Sequence, residues 1–141
     1  MRRMVIAVVA LVGLFIATYL WLYKLGVVGQ LSCSIGSCET VNTSKWATLA
    51  GQPVAFWGVC FYVGMFTVAV LGTFEKFESD RRIGVALAAM SGAGVLFSAW
   101  LTYLELAVIH AICMYCVISA ILVVLMFALS VADLRTPEAA R

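Results

Sequence analysis

The chain has 141 residues, of which 65% are hydrophobic and only 11% are charged, and its mean hydropathy is +1.09. Ordinary soluble domains carry about a quarter charged residues, so this composition excludes a soluble globular domain. The net charge is +2, and the sequence has no stripe of basic residues interleaved with polar ones. Nucleic-acid binding would need such a stripe, so this function is not expected. A membrane-spanning helix needs roughly 20 apolar residues. The sequence therefore predicts one all-α domain over 1–141, an integral membrane four-helix bundle that sits in the lipid bilayer.

The first half of the chain contains two of the predicted helices and the one long polar stretch. The first helix is predicted over about 4–23, after two arginines. A basic start before an apolar run also fits a cleavable signal peptide, but this run is nearer the length of a membrane span than of a signal core. The polar stretch 24–52 is predicted to be an outer loop. The second helix is predicted over about 53–73, because Pro53 suits the first position of a helix.

The second half contains the other two predicted helices. A charged loop at 74–82 precedes a third helix over about 83–104. Small residues are dense in this helix and permit close helix contacts in a membrane, which predicts that it is central in the bundle. A tight turn is expected over 105–112, and the fourth helix is predicted over about 113–131.

Four of the five cysteines form two close pairs. Cys33 and Cys38 lie in the outer loop, and Cys113 and Cys116 form a C-x-x-C at the start of the last helix. Two thiols three apart on a helix lie on one face, close enough for a disulfide, and a helix N-terminus favours the thiolate. One histidine and a single C-x-x-C argue against zinc, so no metal is predicted. The pairs favour redox chemistry, whereas Cys60 is interpreted as a small hydrophobic residue in an apolar run.

The distribution of lysine and arginine predicts the orientation. With the N-terminus inside, seven basic residues lie on the inner face and two on the outer face, which is a clear positive-inside bias. The seven are Arg2, Arg3, Lys76, Arg81, Arg82, Arg135 and Arg141, and the two are Lys24 and Lys45. Both termini are therefore predicted to be cytoplasmic. Both cysteine pairs are predicted to lie on the outer, oxidising side.

Two cysteine pairs in contact could pass electrons along, because a thiolate attacks a disulfide in line. The loop pair would take electrons from a soluble protein, and the helix pair would pass them to a lipid-soluble oxidant such as a quinone. Eight aromatic residues are candidates for the quinone pocket: Phe56, Trp57, Phe61, Tyr62, Phe97, Trp100, Tyr103 and Tyr115. His110 and Glu105, in the turn before the C-x-x-C, are expected to be solvated rather than to carry protons. The structural alternatives are a static disulfide in the loop and buried apolar cysteines in the helix.

The cysteine pairs occur together with three further sequence features. These are Asn-Thr-Ser-Lys-Trp-Ala at 42–47, Gly-Gln-Pro at 51–53 with Phe-Trp-Gly at 56–58, and Ile-Cys-x-Tyr-Cys at 112–116. With these features in this order, the chain resembles a bacterial homologue of vitamin K epoxide reductase, in the short form that has no fused thioredoxin domain. The resemblance covers nearly the whole chain.

The resemblance implies a role for each paired cysteine. Cys33 would meet a thioredoxin-like (DsbA-like) protein in the periplasm, and Cys38 would form a transient bond to Cys113. Cys116 would lie next to the quinone and deliver electrons to it. Ser44 matches a loop hydroxyl that supports this site in the family. The residues predicted to bind or support the quinone are then Ser44, Phe56, Trp57 and Tyr115.

Two positions depart from the family pattern. Val54 replaces an asparagine that helps to hold the vitamin K head group in the animal enzymes, and Ala120 replaces a tyrosine. These departures favour quinone reduction coupled to disulfide formation over epoxide reduction. The expected protein is thus a thiol oxidase of the bacterial cytoplasmic (inner) membrane that regenerates a periplasmic disulfide donor and reduces ubiquinone or menaquinone.

Two other functions fit paired cysteines in a membrane bundle. A disulfide oxidase of the DsbB type performs the same chemistry, but that family has its C-x-x-C in the first outer loop rather than at the head of the last helix. A non-catalytic electron conduit or assembly factor would also need paired cysteines. It would need no quinone, so quinone dependence separates it from an oxidase.

Overall fold

The computed structural model describes residues 2–24, 48–49, 51–77, 80–109 and 114–135. The predictions made for Cys33, Cys38, Ser44, His110 and Cys113 fall outside the described residues. The four long helices are α1 (Arg2–Lys24), α2 (Val54–Leu71), α3 (Arg81–Tyr103) and α4 (Met114–Arg135). A π-helical segment, Leu104–Ile109, continues α3.

All four helices are long and apolar enough to cross a membrane, with mean hydropathies between 1.7 and 2.6 over their most apolar windows. The predicted all-α four-helix membrane bundle is confirmed. A two-stranded antiparallel hairpin precedes α2, with β1 (Thr48–Leu49) paired to β2 (Gln52–Pro53). Gly51, at the turn, has a φ of 81°, a left-handed conformation that favours glycine.

The helices form a ring in which α1 packs against α2 and α4, and α3 packs against α4 and α2. The helix most enclosed by the others is α1. In its most apolar stretch of 18 residues, 39% of the residues are buried, compared with 17% in the corresponding stretch of α3. A side chain at Gly13 of α1 would collide with the Tyr62 ring of α2, so glycine there permits the close approach. The prediction that the third helix is central is wrong, because α1 is the most enclosed helix and α3 is exposed at Val85, Ala89 and Leu96.

A single arginine joins three elements at one end of the bundle. Arg3, which is 5% exposed, has its Nε 3.2 Å from Asp133 Oδ2 near the end of α4. Its two terminal nitrogens donate to the carbonyl oxygens of Gly72 (3.1 Å), Phe77 (2.9 Å) and Asp80 (3.0 Å). The guanidinium therefore links the start of α1, the α2–α3 connection and the end of α4. The sequence analysis treated Arg3 only as a charge that sets orientation.

Removing the charge of Asp133 is expected to destabilise the bundle, because the buried Arg3 guanidinium would lose the carboxylate that lies 3.2 Å from its Nε. The Asp133→Asn variant, which keeps the shape of the side chain, should lose about 3 kcal/mol of unfolding free energy. That loss corresponds to a fall of roughly 10 °C in the midpoint of thermal unfolding of the purified protein. Glu75→Gln, at an exposed carboxyl in the α2–α3 connection, is the matched control. Equal midpoints for the two variants would contradict this role of the ion pair.

The tight turn predicted to begin at residue 105 is replaced by helix in the structure. The π-helical segment runs through Ile109, and the side chain of Glu105 in it is only 4% exposed. The segment contains neither glycine nor proline, so nothing in its local sequence stops the helix. The charge of Glu105 led to a predicted boundary where none exists, and the expectation that Glu105 is solvated is wrong.

Candidate functional site

All four helices contribute to one cavity of ≈ 370 Å³. The lining comes from 16–20 of α1, 54–62 of α2, 93–105 of α3 with its π-helical extension, and 116–123 of α4. These are the end of α1, the beginning of α2, the end of α3 and the beginning of α4. The cavity therefore lies at the opposite end of the bundle from the Arg3–Asp133 pair. Its volume is within the range of sites for small organic ligands, about 300–1,000 Å³.

Aromatic and small apolar side chains make up most of the wall. The lining aromatic residues are Trp57, Phe61, Tyr62 and Phe97. Trp100 and Tyr103, also predicted for the pocket, are 41% and 62% exposed and do not line the cavity. Aromatic faces beside small residues form a wall against which a flat, apolar ring can stack.

Phe56 and Tyr115, two of the predicted quinone-binding or supporting residues, pack next to the cavity rather than lining it. Phe56 lies against Trp21 of α1 at 5.5 Å and against Trp57 at 5.6 Å between ring centroids. Tyr115 meets Tyr19 of α1 edge-on at 5.4 Å. Both contacts fix helices around the cavity, so the role open to these residues is support.

Cys116 lies in the first turn of α4 and lines the cavity. It is half-buried and packs with Tyr19 and Ala55 around Leu20 of α1. The first turn of a helix has unpaired N–H groups and a partial positive charge, which stabilise an anion. The other cysteine of the motif, Cys113, directly precedes α4. The described half of the C-x-x-C is thus in an apolar cavity at a helix N-terminus.

A hydrogen bond between α2 and α4 crosses the cavity wall. The Tyr62 hydroxyl lies 2.6 Å from Ser119 Oγ and donates to the Ser119 carbonyl oxygen at 3.2 Å. Tyr62 is 2% exposed, so this pairing satisfies a polar group that burial would otherwise penalise. Both residues line the cavity, and Ser119 follows Cys116 by one helical turn of α4.

Glu105 is the functional candidate that the sequence analysis misjudged. Along α3, Gly94, Ser98 and Leu101 line the cavity, and Glu105 follows at the next helical repeat. The spacing of four, three and four residues keeps all of these side chains on one face. Once the structure identifies the lining face of α3, helical periodicity extended by one turn past residue 101 places the carboxyl of Glu105 on that face.

Three further positions complete the account of the predicted residues. Val54 and Ala120, where the chain departs from the family pattern, both line the cavity. Cys60 on α2 is exposed and does not line it. The structure therefore brings Trp57, Cys116 and the two departing positions together and leaves Cys60 apart.

Comparison with known protein families agrees with this geometry. The sequence model described as the Vitamin K epoxide reductase family matches residues 4–131. Enzymes of this family are quinone-reducing, disulfide-forming oxidoreductases. The match spans the second and third helices completely, nearly all of α1 and most of α4, together with both cysteine pairs and every described residue that lines the cavity.

Proposed function

The chain belongs to the vitamin K epoxide reductase family, and from this premise we propose which partner it serves and where. Family membership makes it a thiol–disulfide oxidoreductase that uses a quinone. We propose that it is a thiol oxidase of the bacterial cytoplasmic (inner) membrane. It reoxidises a periplasmic thioredoxin-like, DsbA-like protein and reduces ubiquinone or menaquinone.

The proposed electron route uses the two cysteine pairs in sequence. A partner thiolate attacks the Cys33–Cys38 disulfide and forms a mixed disulfide with Cys33, which the second partner thiol resolves, so the partner leaves with its own disulfide. The freed Cys38 thiolate attacks the Cys113–Cys116 disulfide at Cys113 and releases the Cys116 thiolate, and Cys33 then resolves the Cys38–Cys113 bond and restores Cys33–Cys38. The reduced Cys113 and Cys116 pass two electrons to the quinone through Cys116 and re-form their disulfide. Each cycle removes two electrons and two protons from the partner dithiol. The quinone takes up two electrons and two protons and becomes a quinol.

The cavity beside Cys116 is the observation that carries this proposal. A quinone head group is flat and largely apolar, and Trp57, Phe61 and Phe97 offer aromatic surfaces for it. The few polar side chains of the wall fit the pattern of ligand sites, in which sparse polar groups orient a mostly apolar ligand. Because Cys116 lies in the same wall, its sulfur has access to a ring that stacks there.

The departures at Val54 and Ala120 support quinone rather than epoxide reduction. Both residues line the cavity, so the amide of the family's asparagine and the phenol of its tyrosine are absent from the cavity wall. A buried polar contact to a ligand contributes strongly to selectivity between related compounds. Alkyl side chains at these two positions suit a substrate that needs no hydrogen-bond donor from either position.

The charge distribution supports an outward-facing cavity. Several described basic residues belong to the end of the bundle opposite the cavity: Arg3, Lys76, Arg81, Arg82 and Arg135. Basic residues accumulate on the cytoplasmic side of membrane proteins. The cavity end is then periplasmic. By chain connectivity, residues 25–47, with Cys33 and Cys38, join α1 to the β1–β2 hairpin at that same end.

Quinone-dependent oxidation of a protein dithiol tests the proposed function. The purified protein, a reduced DsbA-like protein and a short-chain ubiquinone or menaquinone analogue should yield one quinol per disulfide formed. The ratio follows from the two-electron balance. Omission of the quinone should leave the partner reduced after a single turnover. An electron conduit would oxidise no dithiol at the expense of added quinone, and that result would overturn the proposal.

A further inference from the structure

We propose that Glu105 is the proton-transfer residue of quinone reduction. Its carboxylic acid donates a proton to a quinone oxygen, and the carboxylate then takes up a proton released from the cysteine pair. This inference rests on the proposed function and adds to it a route for protons. It assigns chemistry to a buried acid on α3, whereas the electron route involves only cysteines.

The position of Glu105 is the first argument. Its side chain is 4% exposed, and it lines the cavity to which Cys116 also contributes. Its neighbour Leu106 is 58% exposed, so the π-helical segment directs adjacent side chains to opposite environments. Short π-helical segments occur frequently at functional sites. Ionisable residues at membrane depth face cavities or the bundle interior and commonly belong to proton relays.

The composition of the wall is the second argument. Among the described residues that line the cavity, three carry a titratable proton: Tyr62, Glu105 and Cys116. The lining residues of α1 are aliphatic. On α2, the Tyr62 hydroxyl is engaged with Ser119 at 2.6 Å. The thiol of Cys116 on α4 is consumed in forming the disulfide. A carboxyl group takes up and releases protons more readily than a phenol does, so Glu105 is the group best suited to move protons between the sulfurs and the quinone.

The reaction balances with one carboxyl group acting in turn as acid and base. The dithiol of Cys113 and Cys116 becomes a disulfide and loses two electrons and two protons. The quinone gains the two electrons, and its two oxygens gain two protons to give the quinol. Glu105 gives up a proton to each oxygen in turn and regains one from the cysteine pair each time, so both protons reach the quinone and Glu105 ends each cycle unchanged. Without such a group, charge would build up on the quinone in an apolar cavity, which is costly.

The test compares Glu105→Gln with the native protein in quinone reduction driven by dithiothreitol. Glutamine keeps the shape of the side chain but cannot donate a proton in this way. General acid catalysis typically contributes about 100-fold or more. We expect kcat for a short-chain quinone analogue to fall by about 100-fold, with KM for the quinone changed by less than about threefold. We also expect the pH dependence of kcat to flatten.

Two further variants separate proton transfer from a structural role. Glu105→Asp retains the acid and should recover more than about a tenth of the native kcat together with the native shape of the pH profile. Glu75→Gln makes the same chemical change at an exposed carboxyl at the other end of the bundle and should leave kcat unchanged. Should Glu105→Gln fail to fold, the Asp variant decides: moving the carboxyl back by one methylene group should lower kcat below native while quinone-independent thiol exchange stays native, and a fully native kcat would overturn the inference.

Several outcomes would overturn the inference without touching the proposed function. One is a Glu105→Gln protein that keeps native kcat and the native pH profile. A second is a loss seen only in KM, which would indicate quinone binding. A third is an equal loss in quinone-independent exchange between the protein and a reduced DsbA-like protein, which would indicate misfolding. By contrast, a native protein that reduces no quinone refutes the proposed function itself.

Discussion

Replacement of Cys116 by alanine should stop quinone reduction completely while a disulfide between Cys38 and Cys113 accumulates. Cys116 lines the cavity, and in the proposed route it is the thiol that Cys113 is paired with when Cys38 is free. In the variant, the Cys113 thiolate can still attack Cys38 of the loop disulfide and release the Cys33 thiol, but no Cys116 thiolate is present to attack the resulting Cys38–Cys113 bond or to reduce the quinone. Quinol formation should fall to the uncatalysed background. Non-reducing mass spectrometry of peptides from the variant should detect the linked pair.

Cys60→Ala is the matched control for this variant. It removes the same functional group from another membrane helix, at an exposed position outside the cavity wall. Its quinone reduction should stay close to that of the native protein. If Cys113 were unpaired in the Cys116→Ala variant, the relay would be wrong. A Cys60→Ala variant without activity would show that this thiol has a role that we have not assigned.

Filling the cavity at Ala120 should weaken quinone use sharply. Ala120 lines the cavity one helical turn beyond Cys116, so the ring of an Ala120→Phe variant would occupy space intended for the head group. Overpacking typically costs about 1–3 kcal/mol. The KM for a short-chain quinone analogue should therefore rise by about 10-fold to 100-fold. Thiol exchange with a reduced DsbA-like protein, which does not use the cavity, should continue at the native rate.

Ala128→Phe provides the same change of volume on the same helix. Ala128 is exposed on α4, two turns further along, and does not line the cavity. Its KM for the quinone should match that of the native protein. Equal KM values for the Ala120→Phe and Ala128→Phe variants would mean that the quinone binds elsewhere.

The two ends of the bundle differ in chemistry. One end is held by charge-assisted hydrogen bonds from a single guanidinium to a carboxylate and three carbonyl groups. The other end contains a cavity with an apolar wall, a cysteine and a carboxyl group. The charged network links α1, α4 and the α2–α3 connection, and a buried apolar core packs all four helices together, so the helices stay assembled although the cavity end is not filled with side chains. The charged network and the cavity thus lie at opposite ends of the bundle.

The sequence was sufficient to predict the four membrane helices, because hydropathy over a window of about 20 residues is a local property. It was not sufficient to predict which residues of each helix face inward. Of the eight aromatic candidates, Trp57, Phe61, Tyr62 and Phe97 line the cavity. A helix that is apolar all round gives no signal of its rotation, and both α2 and α4 are apolar all round.

The two missed polar residues illustrate different limits of the sequence. The partner of Arg3 is 130 residues away, and no local pattern connects them. The continuation of α3 through Glu105 was within reach of sequence reasoning, since the segment contains no helix-breaking residue, but that its face lines a cavity was not. It was missed because a charged residue at the end of an apolar run resembles the end of a helix. Buried charges in membrane bundles break that rule where they serve a site.

Photolabelling with a quinone tests the central claim, that the quinone is reduced in the cavity beside Cys116. A photoreactive short-chain quinone that supports turnover should label peptides containing 54–62, 93–105 or 116–123, and an excess of unmodified quinone should suppress the labelling. The Ala120→Phe variant should lose the same labels. Labels confined to exposed positions outside these stretches, such as Phe15 and Val85, or to the end that contains Arg3, would contradict binding of the quinone in the cavity.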